Sequence, residues 1–252
     1  MYKIIINTSI NDDWNQNLIK SDYANFFQNT NYLDSSPNTV PIYISVLDDE
    51  KNVVGQLGLN IINTTAQYSS SFLTNILKLI PNVSRRGIWF FGPIIHTNNK
   101  NKKIQILKEL LKGLDIVYKK YNIVYGFGFA SPYDSSIDEQ YLNELKKNGY
   151  LVAKSVTYLA DLSESLESLW GKISKKTRGD ISRAERRGIS VKQIKTYDEL
   201  QDYIQLYKIW TKTKGLELSK SAYNIEKIWN NIQSGLEVFF LAYQNNEIIS
   251  GL

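Results

Sequence analysis

The order strand, helix, helix, strand, strand is spelled twice along this chain, and that repetition constrains its fold more than any single motif. The first copy opens with the β-rich run 2–7. A helix starting at Asp13-Trp14 follows, then a second over 22–29 that Ser21 can cap. The β-rich runs 42–47 and 53–62 flank the polar turn 48–52 and read as a hairpin. The second copy runs from a strand over 189–194 to a helix over 197–212. Thr196 and Glu199 have the spacing of a capping box at its start. A helix over 221–233 and a hairpin around Asn245-Asn246 complete the second copy.

The stretch between the copies adds a short helix over 72–80 ended by Pro81, and a buried central strand over 87–95. Ile104, Leu107, Leu111, Leu114 and Val117 or Tyr118 form the apolar stripe of a helix over 104–121. A buried strand over 123–129, a helix over 138–147 and a β-rich run over 150–162 follow. Together these predict an α+β fold with a mixed sheet in two tandem domains, 1–160 and 161–252. The second breaks off within its third strand, which reads as a truncated domain.

Composition sets the outer limits. Apolar residues make up 42% and charged residues 22% of 252, which implies a packed core. Having no cysteine excludes disulfides, thiolate nucleophiles and cysteine-ligated metals. The only histidine is His96, and no metal-ligand spacing exists, so no metal and no resident cofactor are expected. The apolar run of MYKIIINTSI is too short for a signal peptide before Asn11, Asp12 and Asp13. No run approaches the roughly 18 apolar residues of a membrane span. The expected address is the cytoplasm. Gly126-Phe127-Gly128 lies inside an apolar strand and points to close packing rather than a phosphate loop. Trp14, Trp89, Trp170 and Trp229 read as packing residues.

Charge concentrates in one place. Between Leu166 and Val191 stand Lys172, Lys175, Lys176, Arg178, Arg183, Arg186 and Arg187. On one continuous helix all but Arg178 share a face, while Leu166, Leu169, Trp170, Ile173, Ile181 and Ala184 form the adjoining face and should bury. Gly179 is the expected point of a kink or break. Asp180 and Glu185 can neutralise part of the stripe. The net charge of +5 sits largely here, which favours an anionic small-molecule partner over wholesale coating of nucleic acid.

These residues carry a resemblance. Tyr158 to Leu162 (YLADL), Leu169-Trp170, the run SKKTR at 174–178 and RAERRG at 183–188 are similar to a signature of the Fem family of peptidoglycan-bridge aminoacyltransferases. SDYANFFQN at 21–29, Phe91-Gly92-Pro93 and the hairpin over 239–251 resemble further segments of that family, so the likeness spans nearly the whole chain. Phe91 stands where the family often has glycine. The resemblance implies tandem acetyltransferase-like (GNAT) domains and transfer of an aminoacyl or acyl group to an amine. It implies as acceptor a cell-wall precursor bearing a diphosphate, and as donor aminoacyl-tRNA or, in relatives acting on amino sugars, acyl-coenzyme A. A tRNA is therefore a possible partner.

Such transfer rests on positioning a neutral amine and stabilising an oxyanion, and requires no nucleophile or metal. No catalytic residue is assigned from the sequence. The residues that match the family's anion contacts are Arg178 and Arg183, then Lys175 and Lys176. A structural pairing of Arg178 with Asp180 or Glu185 stays open. Arg85 and Arg86 form a second candidate, and Asp161 reads as a carboxylate leading into the basic helix. The run 96–103 after the central strand has no glycine, so the first domain is not expected to cradle coenzyme A there. Two alternatives stand beside the aminoacyl transferase. One is an acyl-coenzyme A-dependent N-acyltransferase of a small amine; the other is a non-catalytic binding module of the same fold.

Overall fold

The computed structural model describes residues 2–9, 13–34, 39–63, 85–134, 137–215 and 224–252. The chain divides into two compact units, Met1–Ser155 and Val156–Leu252. The helix expected over 72–80 lies outside the described residues.

In the first unit, strands β1 (Lys3–Asn7), β2 (Thr39–Leu47), β3 (Val53–Asn63), β4 (Arg85–Trp89) and β6 (Ile123–Gly128) form one mixed sheet in that order. β5 (Ile94–Ile95) also pairs with β3. All pairings are antiparallel except β4 with β6. The β2–β3 hairpin turns where Asp48 Oδ1 accepts from the backbone N–H groups of Glu50 and Asn52, with Lys51 left-handed between them. β2 is buried on both faces. Ile42, Ile44 and Val46 pack in the main core, and Tyr43 packs with Trp14 and Leu33 on the opposite side. Trp14 belongs to α1 (Asp13–Leu18) and Leu33 to α2 (Thr30–Leu33), so short helices cover that side.

The other side is covered by α3 (Lys100–Tyr121). Asn99 caps its start, and Asn122, left-handed, ends it. Its buried stripe of Ile106, Leu107, Leu110, Leu111, Leu114 and Val117 is wider than the periodicity indicated. Gly126 and Gly128 are close-packing glycines. A Cβ at Gly126 would fall on the Tyr118 ring, and one at Gly128 on the Trp89 indole. α4 (Glu139–Lys147), capped by Asp138, closes the unit through Tyr141.

Four expectations need correction here. The central strand does not run unbroken over 87–95. Between β4 and β5 the backbone turns aside, with Phe91 left-handed at φ 50°. Over 22–29 there is instead a turn and a 3-10 segment (Phe26–Gln28), with α2 beginning only at Thr30, and Gln28 bonds outward to Gly58 in β3 and to Phe90 just past β4. β6 is an edge rather than a buried strand. Among the described residues it pairs only with β4, and Val124 and Tyr125 are exposed. The run 150–162 forms no strand although its residues favour one. It pairs with no described strand, and β propensity has little effect without a neighbour.

In the second unit, α5 (Leu166–Lys172) and α6 (Lys175–Arg186) precede β7 (Ile189–Gln193), α7 (Tyr197–Thr213), α8 (Ile225–Gln233), β8 (Phe240–Gln244) and β9 (Glu247–Gly251). The sheet order β7-β8-β9 and the two helices between β7 and β8 repeat the order of β1, its helices, β2 and β3. Ile194, Leu200, Ile204 and Leu241 form the core, with Tyr203, Trp229 and Ile248 packed against it. Thr196 and Glu199 make the capping box reciprocally. No helix among the described residues is long and apolar enough to cross a membrane.

Candidate anion-binding helix

The basic stretch is two helices joined by an elbow. Ile173 ends α5 in an extended conformation, and Ser174 restarts the chain by accepting the backbone N–H of Thr177 at 3.1 Å. The break therefore falls at 173–174 and not at Gly179, because a serine cap outcompetes one unfavourable helical residue. Arg178 locks the elbow. Its Nη1 donates to the carbonyls of Trp170, which also accepts the Ile173 N–H, and Gly171, each at 3.3 Å, at the end of α5.

The break sorts the cations. Lys172 stays on α5 and pairs with Glu164. Arg183 forms an exposed pair with Asp180 at 3.2 Å, a contact of small energetic weight. Lys175, Lys176 and Arg186 are exposed and have no side-chain hydrogen bond or ion pair with the described residues. The structure thus gathers Lys175, Lys176 and Arg183 on one face of α6 with Arg186, while Arg178 points to the elbow instead. The expected burial of the apolar face does not occur. No residue of α5 or α6 is buried, and Leu166 and Trp170 are 83% and 42% exposed. Ile181 and Ala184 reach half-burial, and α6 packs on β7.

Other candidates are engaged elsewhere. Arg85 Nη1 donates to the Tyr121 carbonyl at the end of α3. Asp161 accepts both the N–H and the hydroxyl of Ser163, which hold its carboxyl below the usual range and make it a weak base; Ser165 is the cap of α5. Trp89 and Trp14 are core residues. Among the described residues no group of His, Asp and Glu could hold a metal ion.

In the first unit the carboxyl end of the parallel pair β4–β6 is where an open α/β crevice would lie. Here it is closed. The Phe90 carbonyl accepts from Gln28 Nε2 at 2.8 Å and the Phe91 carbonyl from Asn25 Nδ2 at 2.9 Å. Gln28 and Asn25 escaped the sequence reading. The only local signal was a polar residue directly after Phe26-Phe27, on a segment that otherwise reads as helix.

His96 lies just past β5. Gln56 Nε2 donates to the Trp14 carbonyl, so its Oε1 faces His96 and accepts from Nε2 at 3.0 Å. Burial, and then the charge of Lys20, hold the imidazole below its ordinary value. The unfolded chain therefore binds the proton first as pH falls. The stabilisation is complete above the ordinary histidine value and is lost progressively below it. The melting temperature should fall between about pH 7.5 and about pH 5.5, and His96→Gln should flatten that slope. An equal slope in both proteins would show that other groups set it.

No protein-family model matches the chain, and no curated protein matches it. Among solved structures it is similar to an aminoglycoside antibiotic 6'-N-acetyltransferase from Acinetobacter baumannii, at 11% identity and a TM-score of 0.38, covering 64% of this chain and 98% of that one. It is also similar to the GCN5-related glucosamine N-acetyltransferase region of a fungal multi-domain GH3 β-N-acetylglucosaminidase. There the identity is 13% and the TM-score 0.46, over all of this chain and 27% of that one. Neither is a peptidoglycan-bridge enzyme by name, and likeness at this level carries no argument about the activity of this chain.

Proposed function

We propose that the chain is an N-acyltransferase whose acceptor is an amine bearing phosphate, held by the basic face of α6. The observation that carries this reading is the exposed, unpartnered state of Lys175 and Lys176 beside Arg183. Like charges gathered on one helix face repel, so the arrangement adds nothing to folding and gains only from a multiply charged oxyanion. Lys175 and Lys176 contact the anion, Arg183 joins them by leaving Asp180, and Arg178 is a positioning residue that fixes the helix.

The neutral amine attacks the acyl carbonyl carbon. The new C–N bond forms, the alkoxide or thiolate leaves, and the ammonium proton passes to solvent or to that leaving group. The protein's work is alignment of the two reactants. Two donors suit this chemistry, acyl-coenzyme A and aminoacyl-tRNA. A nucleotide- or lipid-diphosphate cell-wall precursor is the finer acceptor that the Fem resemblance implies.

The test is thiol release from acetyl-coenzyme A with glucosamine and with glucosamine 6-phosphate. The phosphorylated amine should react faster. The double change Lys175→Ala/Lys176→Ala should remove about ten-fold or more of that preference, at about 1.4 kcal/mol per factor of ten. A preference that survives the double change overturns the site. Transfer from charged tRNA without any thiol release would select the other donor, and transfer from neither would leave the binding-module reading.

A further inference from the structure

Large apolar side chains left in water gather in one stretch of the second unit. Tyr158 is 95% exposed and Leu162 76%, with Leu159, Leu166 and Trp170 exposed beside them in the chain. On α5, Leu166, Leu169, Trp170 and Ile173 have the i, i+3, i+4, i+7 spacing of one apolar face, yet no residue of that helix is buried. A run of exposed large apolar groups marks an interaction surface, where single ones would not.

Beyond the elbow the chemistry changes to charge. From Lys172 to Arg187 seven cations stand against two carboxylates, Asp180 and Glu185. The carboxylates nearer the apolar run are turned aside: Glu164 pairs with Lys172, Asp161 accepts from Ser163, and helical spacing sets Glu167 outside the face of Leu166 and Trp170. Arg178 bonds the end of α5 from α6, so the apolar face and the cationic face meet at one corner.

That combination selects its partner by charge and polarity together. Lys175 and Arg186 lie about 16 Å apart along the helix axis at 1.5 Å per residue, a spread suited to an extended anionic surface. A nucleic acid or an acidic protein would engage the cations and leave Leu162, Leu166 and Trp170 in water. A bilayer with anionic lipid offers phosphates at its surface and hydrocarbon just beneath, and an indole is favoured at the boundary between them.

We infer that the segment 158–187 docks the protein on an anionic lipid surface. Leu162, Leu166 and Trp170 enter the headgroup boundary, and the cationic face of α6 lies against the phosphates. The protein lies on the bilayer and does not span it through this element, since no helix among the described residues is long and apolar enough to cross. The inference goes beyond the transferase reading and does not depend on it, because it adds an apolar face that a soluble acceptor does not use.

The experiment is co-sedimentation of the full chain with vesicles of phosphatidylcholine alone and of phosphatidylcholine mixed with phosphatidylglycerol. The wild type should pellet with the anionic vesicles, remain in solution with the neutral ones, and be released by salt. Leu162→Gln/Leu166→Gln should lower the partition coefficient about ten-fold or more. Its melting temperature should stay at the wild-type value, because both leucines are exposed. Lipids brominated in their acyl chains should quench the tryptophan emission, and Trp170→Phe should remove most of that quenching. Wild-type partitioning by the leucine variant overturns the inference and reduces the surface to a charge contact. No pelleting of the wild type overturns it too, and leaves the transferase reading standing, because thiol release with glucosamine 6-phosphate is measured without lipid.

Discussion

Replacing Asp134 by alanine should lower the unfolding free energy by about 3–5 kcal/mol, the cost of stranding a buried charge. Asp134 Oδ2 accepts from Lys103 Nζ at 2.6 Å, with the two side chains only 7% and 5% exposed. The ammonium also lies over the rings of Tyr23 and Tyr141, at 5.4 and 5.9 Å from their centroids. Lys103 stands in the first turn of α3, where a cation opposes the helix dipole, so the carboxylate answers an unfavourable placement as well as a buried one. The pair ties α3 to the loop after β6. Urea denaturation of Asp134→Ala measures the loss. The double change Lys103→Met/Asp134→Leu should recover most of it, because two apolar groups need no compensation. A double variant as unstable as the single one would mean that the lysine's contacts with Tyr23 and Tyr141 carry the stability instead.

Gln28→Ala should cost about 3–5 kcal/mol, from several buried bonds lost together at about 1–3 kcal/mol for each group left unsatisfied. Gln28 is fully buried. Its Oε1 accepts the Gly58 N–H at 2.7 Å, and its Nε2 donates to the carbonyls of Gly58 and Phe90 at 3.1 and 2.8 Å. One amide thus serves the middle of β3 and the point where β4 turns aside. Phe91, a bulky residue in the left-handed region, persists there because Asn25 also holds its carbonyl and Phe27 packs edge-on at 4.9 Å. Denaturant midpoints of Gln28→Ala and Gln28→Glu provide the check. The glutamate keeps the acceptor but loses the donor, so it should also fail to hold Phe90. A midpoint near wild type in either variant would show that Phe90 and Gly58 find other partners.

The two residues in these predictions were illegible in the sequence for one reason: their partners are remote. Gln28 reaches Gly58 over 30 positions and Lys103 reaches Asp134 over 31. Nothing in the neighbourhood of either residue marks it as buried. Elements defined by neighbours were readable. The capping box at Thr196, the β2–β3 hairpin turn and the stripe of α3 depend on spacings of two to four residues. The basic stripe was readable for the same reason, but its break was misplaced. Gly179 is the weaker helix former, yet Ser174 provides an actual cap.

The strand expected over 150–162 marks the boundary between the two kinds of knowledge. Its residues favour extended structure, but a strand exists only as half of a pair, and among the described residues none lies beside it. Periodicity, caps and turns arise from interactions along the chain, so the amino-acid order alone set the longer helices such as α3 and α7, the hairpins, the doubled arrangement and the cationic face of α6. Burial, strand partners and the role of Arg178 depend on which distant groups arrive at the same place. Only the tertiary structure decided that Arg178 closes the elbow, that β6 is an edge among the described residues and that Gln28 and Asn25 hold the backbone just past β4.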